Sequence, residues 1–207
     1  MNNQKSKIAV FGANGAIGHA FIKYYSNSMV YGMSRKKPDV NIKGIKSIII
    51  EKYDDENLSR IADKFKNDSL DKIIISIGML HNDSLDPEKR IDDLTTDQFN
   101  EIMHSNAVIP SLIVKHLHKK MKKEYPSIIA ILSARVGSIS DNRSGGWYSY
   151  RASKAALNMI IKNMSIELGR LNKNLIVIGL HPGTVDSALT KPFQKRIQSS
   201  KLFSPDY

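Results

Sequence analysis

Cysteine is absent from the 207 residues. Disulfides and thiolate-based metal or redox chemistry are thereby excluded, a composition that suits a reducing cytosol. Histidine is left as the only soft ligand. The six histidines include no HExxH, and His116 and His118 fall on different sides of an expected helix, so no metal site is expected. Long apolar runs are missing as well: after MNNQKSK only IAVF precedes a glycine, and nothing later approaches the roughly 20 apolar residues a membrane span needs. Neither a signal peptide nor a membrane partner is expected. No break in composition, repeat or linker divides the chain, so residues 1–207 read as a single domain.

Acidic residues are outnumbered, giving a formal net charge of +11. The densest basic run, HLHKKMKKE at 116–124, lies at the end of an expected helix, where cations suit the dipole and water suits the lysines. No nucleic-acid partner is expected on that ground. The excess charge is better suited to steering an anionic small molecule toward the surface.

What the chain does have is alternation. Apolar runs of strand length at 7–11, 29–33, 47–51, 72–78, 127–133 and 174–180 are separated by amphipathic stretches at about 16–27, 55–67, 96–123 and 148–170. Hydrophobicity is continuous within each run, so both faces are buried, as in a parallel sheet covered by helices. The expected fold is a three-layer α/β/α arrangement, a Rossmann-like doubly wound parallel sheet. Ligands of such sheets sit beyond the carboxyl ends of the strands.

The first strand runs into GANGAIG, with Gly12, Gly15 and Gly18 opening a helix. Glycines permit a tight turn and close approach of a pyrophosphate, and the helix N-terminus offers free amides. The second strand ends in GMSRKK, so Ser34, Arg35 and Lys36 stand where NAD-preferring proteins place an acidic residue. A guanidinium binds a 2′-phosphate that a carboxylate would repel, which predicts NADP(H) as cofactor. A solvated basic turn is the alternative.

Further along, GGWYSYRASKAALN places Tyr150 and Lys154 at i and i+4, one above the other on a helix. A phenol titrates near 10, and an adjacent ammonium is expected to lower that value and fit Tyr150 for proton exchange with a carbonyl oxygen. Packing of the tyrosine and solvation of the lysine is the plain alternative, since YxxxK is common.

Taken together, GANGAIG, SIG at 76–78, Asn106 in HSNAVIP, LSARVGS, YRASK and HPGTVDS give a chain that resembles the short-chain dehydrogenase/reductase family over almost its whole length. The stretch NRSGGWYSYRASKAALN is most similar to the carbonyl reductase and C-factor-like branch. The resemblance implies that Tyr150 is the catalytic acid/base and that Lys154 lowers its pKa and binds the nicotinamide ribose. It implies that Asn106 holds a helix bend and a proton-relay water. Gly12, Asn14, Ile17 and Gly18 would surround the pyrophosphate, Ser76 and Gly78 the adenosine, and Pro182, Gly183, Val185 and Ser187 the nicotinamide.

Three features depart from the family pattern. The glycines are spaced as in larger epimerase-like members. The family's substrate-positioning serine lies three residues before the glycine after strand five, and counting back from Gly137 finds Ala134, with Ser133 one place early. Ser133 is expected to fill the role, with Ser138 as the substitute. The chain also stops where the family continues through another helix and strand, so the sheet is expected to lack them.

The resulting expectation is a cytoplasmic NADPH-dependent oxidoreductase acting on a small carbonyl or alcohol substrate. The helices near 96–123 and 148–170, which pair subunits in relatives, make a homodimer or homotetramer the expected assembly. A non-catalytic dinucleotide-binding signalling protein and an epimerase-like enzyme are the alternatives.

Overall fold

Isoleucine and valine dominate the apolar runs, and their branched side chains favour extended backbone with both faces covered. In the computed structural model, which describes residues 5–37 and 44–206, the runs form six strands. These are β1 (Lys7–Phe11), β2 (Met29–Ser34), β3 (Ile45–Ile49), β4 (Lys72–Ile75), β5 (Ser127–Leu132) and β6 (Leu175–Leu180). All pairings are parallel, in the order β3-β2-β1-β4-β5-β6. The sheet is Rossmann-like and doubly wound, as expected.

Helices α1 (Ala16–Tyr24), α2 (Asp55–Ala62), α3 (Thr96–Met103), α4 (Ile109–Leu117) and α5 (Tyr148–Leu171) cover it. Successive strand residues face opposite ways, so the strands feed two cores. Ile8, Val10, Val30 and Ile74 pack with Ile22 of α1 on one face. Phe11, Ile73, Ile129 and Ile131 pack with Leu58, Ile113 and Leu157 on the other. Strand order reverses at β1, whose neighbours are β2 and β4, and the crevice that this opens lies at the carboxyl ends.

Some boundaries differ from the sequence expectation, for identifiable reasons. The run 72–78 is a strand only to Ile75, because the Ser76 hydroxyl turns back to donate to the Phe11 carbonyl at 2.8 Å. The stretch 96–123 is broken by a π turn at His104–Val108 and leaves α-helix at Leu117. Just beyond, the Lys120 carbonyl accepts the amides of Ser69 and Leu70, so it closes no further helical turn. The segment after β6 makes a two-residue ladder of β7 (Thr184–Val185) with β8 (Leu202–Phe203). Among the described residues no strand pairs with the outer edge of β6, and no helix is long and apolar enough to cross a membrane.

One contact fixes α5 against the end of β5. Gly137 lies so close that an added Cβ would sit 2.7 Å from the Lys154 carbonyl carbon and 2.9 Å from its Cβ. Backbone cannot yield as a side-chain tip can. Gly137→Ala is therefore expected to cost about 1–3 kcal/mol by overpacking. Urea unfolding measures it, and a midpoint equal to that of the unsubstituted protein would refute the contact.

Candidate active site

The glycine turn between β1 and α1 is tight by necessity. Gly12 has φ +83°, and a Cβ on Gly18 would lie 2.2 Å from the Gly12 carbonyl oxygen. No side chain caps α1 at Gly15, so its first-turn amides stay open to an anion. The cradle fits a pyrophosphate. Ser76 supports it from β4 by donating to the carbonyls of Phe11 and Gly12, which commits its hydroxyl to the turn. Asn14 is committed too: its Nδ2 donates to the Lys36 carbonyl at 3.1 Å, tying the turn to the end of β2.

At that end Ser34 is buried and its hydroxyl also donates to the Lys36 carbonyl, at 2.5 Å. Arg35 and Lys36 are exposed. Arg35 lies near Tyr53, whose phenol burial pushes up to about 12 and the Arg35 charge pulls back. Among the described residues the Arg35 guanidinium, at the end of β2, forms no ion pair.

Tyr150 and Lys154 both face inward from α5, 8% and 3% exposed. The Lys154 Nζ lies 5.9 Å from the centre of the Tyr150 ring and donates to the Leu132 carbonyl at 3.0 Å. Burial pushes the Tyr150 phenol up to about 12 and draws the Lys154 ammonium down to about 8. The sequence expectation that the lysine lowers the tyrosine is thus reversed in sign. Loss of water outweighs a cation that is itself half discharged near pH 8.

Asn106 occupies the π turn and is fully buried. Its Oδ1 accepts the Met79 amide at 2.7 Å, and its Nδ2 donates to the Met79 carbonyl at 2.8 Å and to Ser153 Oγ at 2.9 Å. Ser153 in turn donates to the Tyr150 carbonyl at 2.8 Å. Asn106 therefore ties the end of β4 to the turn of α5 that carries the tyrosine. A π turn at such a place re-aims one side chain without ending the helix. Sequence reading missed Ser153, although it lies inside YRASK. Gly78 completes this corner: a Cβ there would lie 3.5 Å from both Asn106 Oδ1 and Lys154 Nζ.

A cleft of about 580 Å³ opens in front of Tyr150. It brings together Ile17 of the glycine turn, Ser133, and Pro182, Gly183, Val185 and Ser187 of the turn after β6. Ser133 reaches the cleft wall, but its hydroxyl donates to Asn158 Oδ1 at 2.6 Å. Ala134 is the residue packed into the cluster of Leu80, Ile102 and Tyr150. Ser138 is bonded to Ser140 and Asp141 and does not line the cleft.

This geometry has counterparts. The family model for short chain dehydrogenases matches residues 6–198. The chain belongs to the short-chain dehydrogenase family. A short-chain dehydrogenase/reductase structure from Burkholderia multivorans with bound NADP is similar at TM-score 0.76 and 25% identity, covering 89% of this chain and 82% of that one. The 1-hydroxy-2-glutathionyl-2-methyl-3-butene dehydrogenase of Rhodococcus sp. (strain AD45) is 49% identical over 65 residues, 31% of this chain and 28% of that protein. C-signal of Myxococcus xanthus is 33% identical over 87 residues, 42% of this chain and 51% of it. The matches thus span about half or less of those two relatives, whereas the dehydrogenase fold is matched almost throughout.

The buried lysine of this chain has a pH signature. Folded, Lys154 releases its proton near 8, and unfolded near the ordinary 10.5. Between those values the unfolded chain holds the extra proton, so this residue makes the protein more stable as pH rises from about 8. Tyr150, shifted upward, acts oppositely only above 10. Lys154→Met is expected to flatten the rise by up to about 1.4 kcal/mol per pH unit. Urea melts across that window test it, and equal slopes for the two proteins would remove Lys154 as the cause.

Proposed function

We propose that the protein is an NADPH-dependent oxidoreductase that reduces a carbonyl compound, with Tyr150 as the proton donor. The observation that carries this reading is the cleft, which joins the inward-facing tyrosine to the glycine turn and to Pro182–Ser187. When bound there, NADPH supplies a hydride to the carbonyl carbon. The chain's own part is to hold the substrate oxygen at the Tyr150 hydroxyl and deliver a proton as the alcohol forms.

A phenol titrating near 12 is fully protonated at neutral pH, which suits donation in the reductive direction. Lys154, fixed by the Leu132 carbonyl, stands beneath the ring to bind the nicotinamide ribose and restore charge balance after the proton leaves. Asn106 keeps the supporting turn in place, and a relay water beside it is part of the same proposal. Gly12, Asn14, Ile17 and Gly18 line the pyrophosphate site, Ser76 and Gly78 the adenosine side. Ser133 serves as the oxygen-positioning hydroxyl only by exchanging Asn158 for substrate. The cleft sets apolar walls of Leu80, Val136, Trp147, Leu189 and Phe193 beside Arg135, Arg143 and His181, so it suits a carbonyl compound with both an apolar and a polar part.

In this reading the chain acts as one dinucleotide-binding unit, and its cysteine-free composition suits a reducing cytosol. Exposed apolar side chains, Val108 of the π turn and Met159 and Ile166 of α5, support pairing of subunits through these helices into a dimer or tetramer.

Two measurements test the reading. Tyr150→Phe is expected to lower kcat/KM for NADPH-dependent carbonyl reduction by about 10²- to 10⁴-fold while NADPH binding is kept. Binding without Tyr150-dependent turnover would leave a non-catalytic dinucleotide-binding role instead. Arg35→Asp is expected to weaken NADPH about tenfold or more, through loss of a charge-assisted pair with the 2′-phosphate, and to leave NADH nearly unchanged. Fluorescence titration reads both affinities, and a parallel loss for both cofactors would remove Arg35 from the 2′-phosphate site.

A further inference from the structure

Glu88 is 2% exposed, and among the described residues it forms no ion pair. A carboxylate in that position is costly unless hydrogen bonds replace water. Among the described residues, Ser149 supplies all of its side-chain bonds. The Ser149 amide donates to Oε1 and Oε2 at 3.3 and 3.4 Å, and the Ser149 hydroxyl donates to Oε1 in a short contact. The Glu88 carbonyl accepts the Trp147 amide at 2.5 Å as well. A single residue from the loop after β4 therefore holds the positions on either side of the first residue of α5.

That helix start needs holding. Gly145, Gly146 and Trp147 have φ of +62°, +63° and +53° in succession, a left-handed run that tryptophan adopts against its own preference. No side chain of Trp147 caps α5, so the amides of the first turn depend on a partner from elsewhere in the chain. A carboxylate at that end also meets the positive pole of the helix dipole. Tyr150 is the next residue along. On its other side it is held by Ser153 and Asn106, so Glu88 closes the second half of a clamp on the tyrosine backbone.

We propose that Glu88 is the positioning residue for Tyr150, fixing the first turn of α5 so that the phenol and the Trp147 ring keep their places in the cleft. The proposal rests on the function argued above, because positioning has a meaning only if Tyr150 acts. Trp147 is 6.2 Å from Tyr150 and 5.0 Å from Phe193 between ring centres. It is also the single tryptophan of the chain, so its emission reports on this turn without interference.

The test compares the full-length protein with Glu88→Ala, Glu88→Gln and Ser149→Ala, reading Trp147 emission, acrylamide quenching, NADPH affinity, and the kcat and KM of carbonyl reduction. Glu88→Ala is expected to red-shift the emission, increase quenching and lower kcat by about tenfold or more, since a small displacement of a reacting group has effects of that order. NADPH affinity is expected to stay within about twofold, because the cradle at Gly12–Gly18 is untouched. Glu88→Gln keeps an oxygen for Ser149 and is expected to recover most of both losses, with Ser149→Ala falling between.

Unchanged emission and kcat in a folded Glu88→Ala protein overturn the proposal. So does a loss of NADPH affinity equal to the loss of kcat, or a failure of Glu88→Gln to recover either. If the unsubstituted protein shows no Tyr150-dependent turnover, the functional reading has failed, and the positioning role falls with it even where quenching shows that Glu88 anchors the turn.

Discussion

A buried ammonium must be solvated by protein, and the position of Lys154 follows from that need. Among the described residues its hydrogen bond goes to the carbonyl of Leu132, the last residue of β5, which leaves the strand there and so has an acceptor to offer. To bring Nζ to that oxygen, α5 must lie close enough that only glycine is accommodated at 137. The closeness in turn buries Tyr150 one turn earlier on the same face. The acid strength of the phenol, the fall in the lysine's basicity and the depth of the cleft all descend from one short approach between a helix and a strand end.

The same corner explains why the helix between β4 and β5 carries a π turn. An unbroken α-helix would not present Asn106 to both Met79 and Ser153, and the extra residue rotates it into line. Three carboxyl ends of the sheet thereby meet at one place: β1 through the glycine turn and Ser76, β4 through Met79, β5 through Leu132. Parallel strands make this possible, since all six point the same way.

The sheet was readable because both-face burial writes itself as unbroken runs of isoleucine and valine, and the glycine turn because no other residue fits a Cβ-free contact. Tyr150 and Lys154 were readable because four residues of helix separate them. What escaped the sequence depends on residues distant along the chain. The pairing of Glu88 with Ser149 spans 61 positions, and no periodicity announces it. The dominance of burial over the neighbouring cation at Tyr150 is likewise a property of packing, to which spacing is blind. Ser133 illustrates the limit in a single step: one position along a strand end decides whether a hydroxyl meets Asn158 or lies beside the phenol, where Ala134 is found.

The two sides of the cleft are built differently, and this bears on how chemistry and selectivity separate. Tyr150 stands on a 24-residue helix bonded to strands and to the π turn, so its surroundings are fixed by contacts distant in sequence. The opposing rim, from Pro182 to Phe203, leans more on local bonds, Thr190 to the Val185 carbonyl and Gln194 to Asp186, with the Leu189 carbonyl against His81 and the Phe193 ring against Trp147 as longer-range ties. Segments with local bonds and little core open at lower cost than the elements they face. Substitutions along that rim can therefore reshape that wall of the cleft while Tyr150 stays where the sheet and α5 put it.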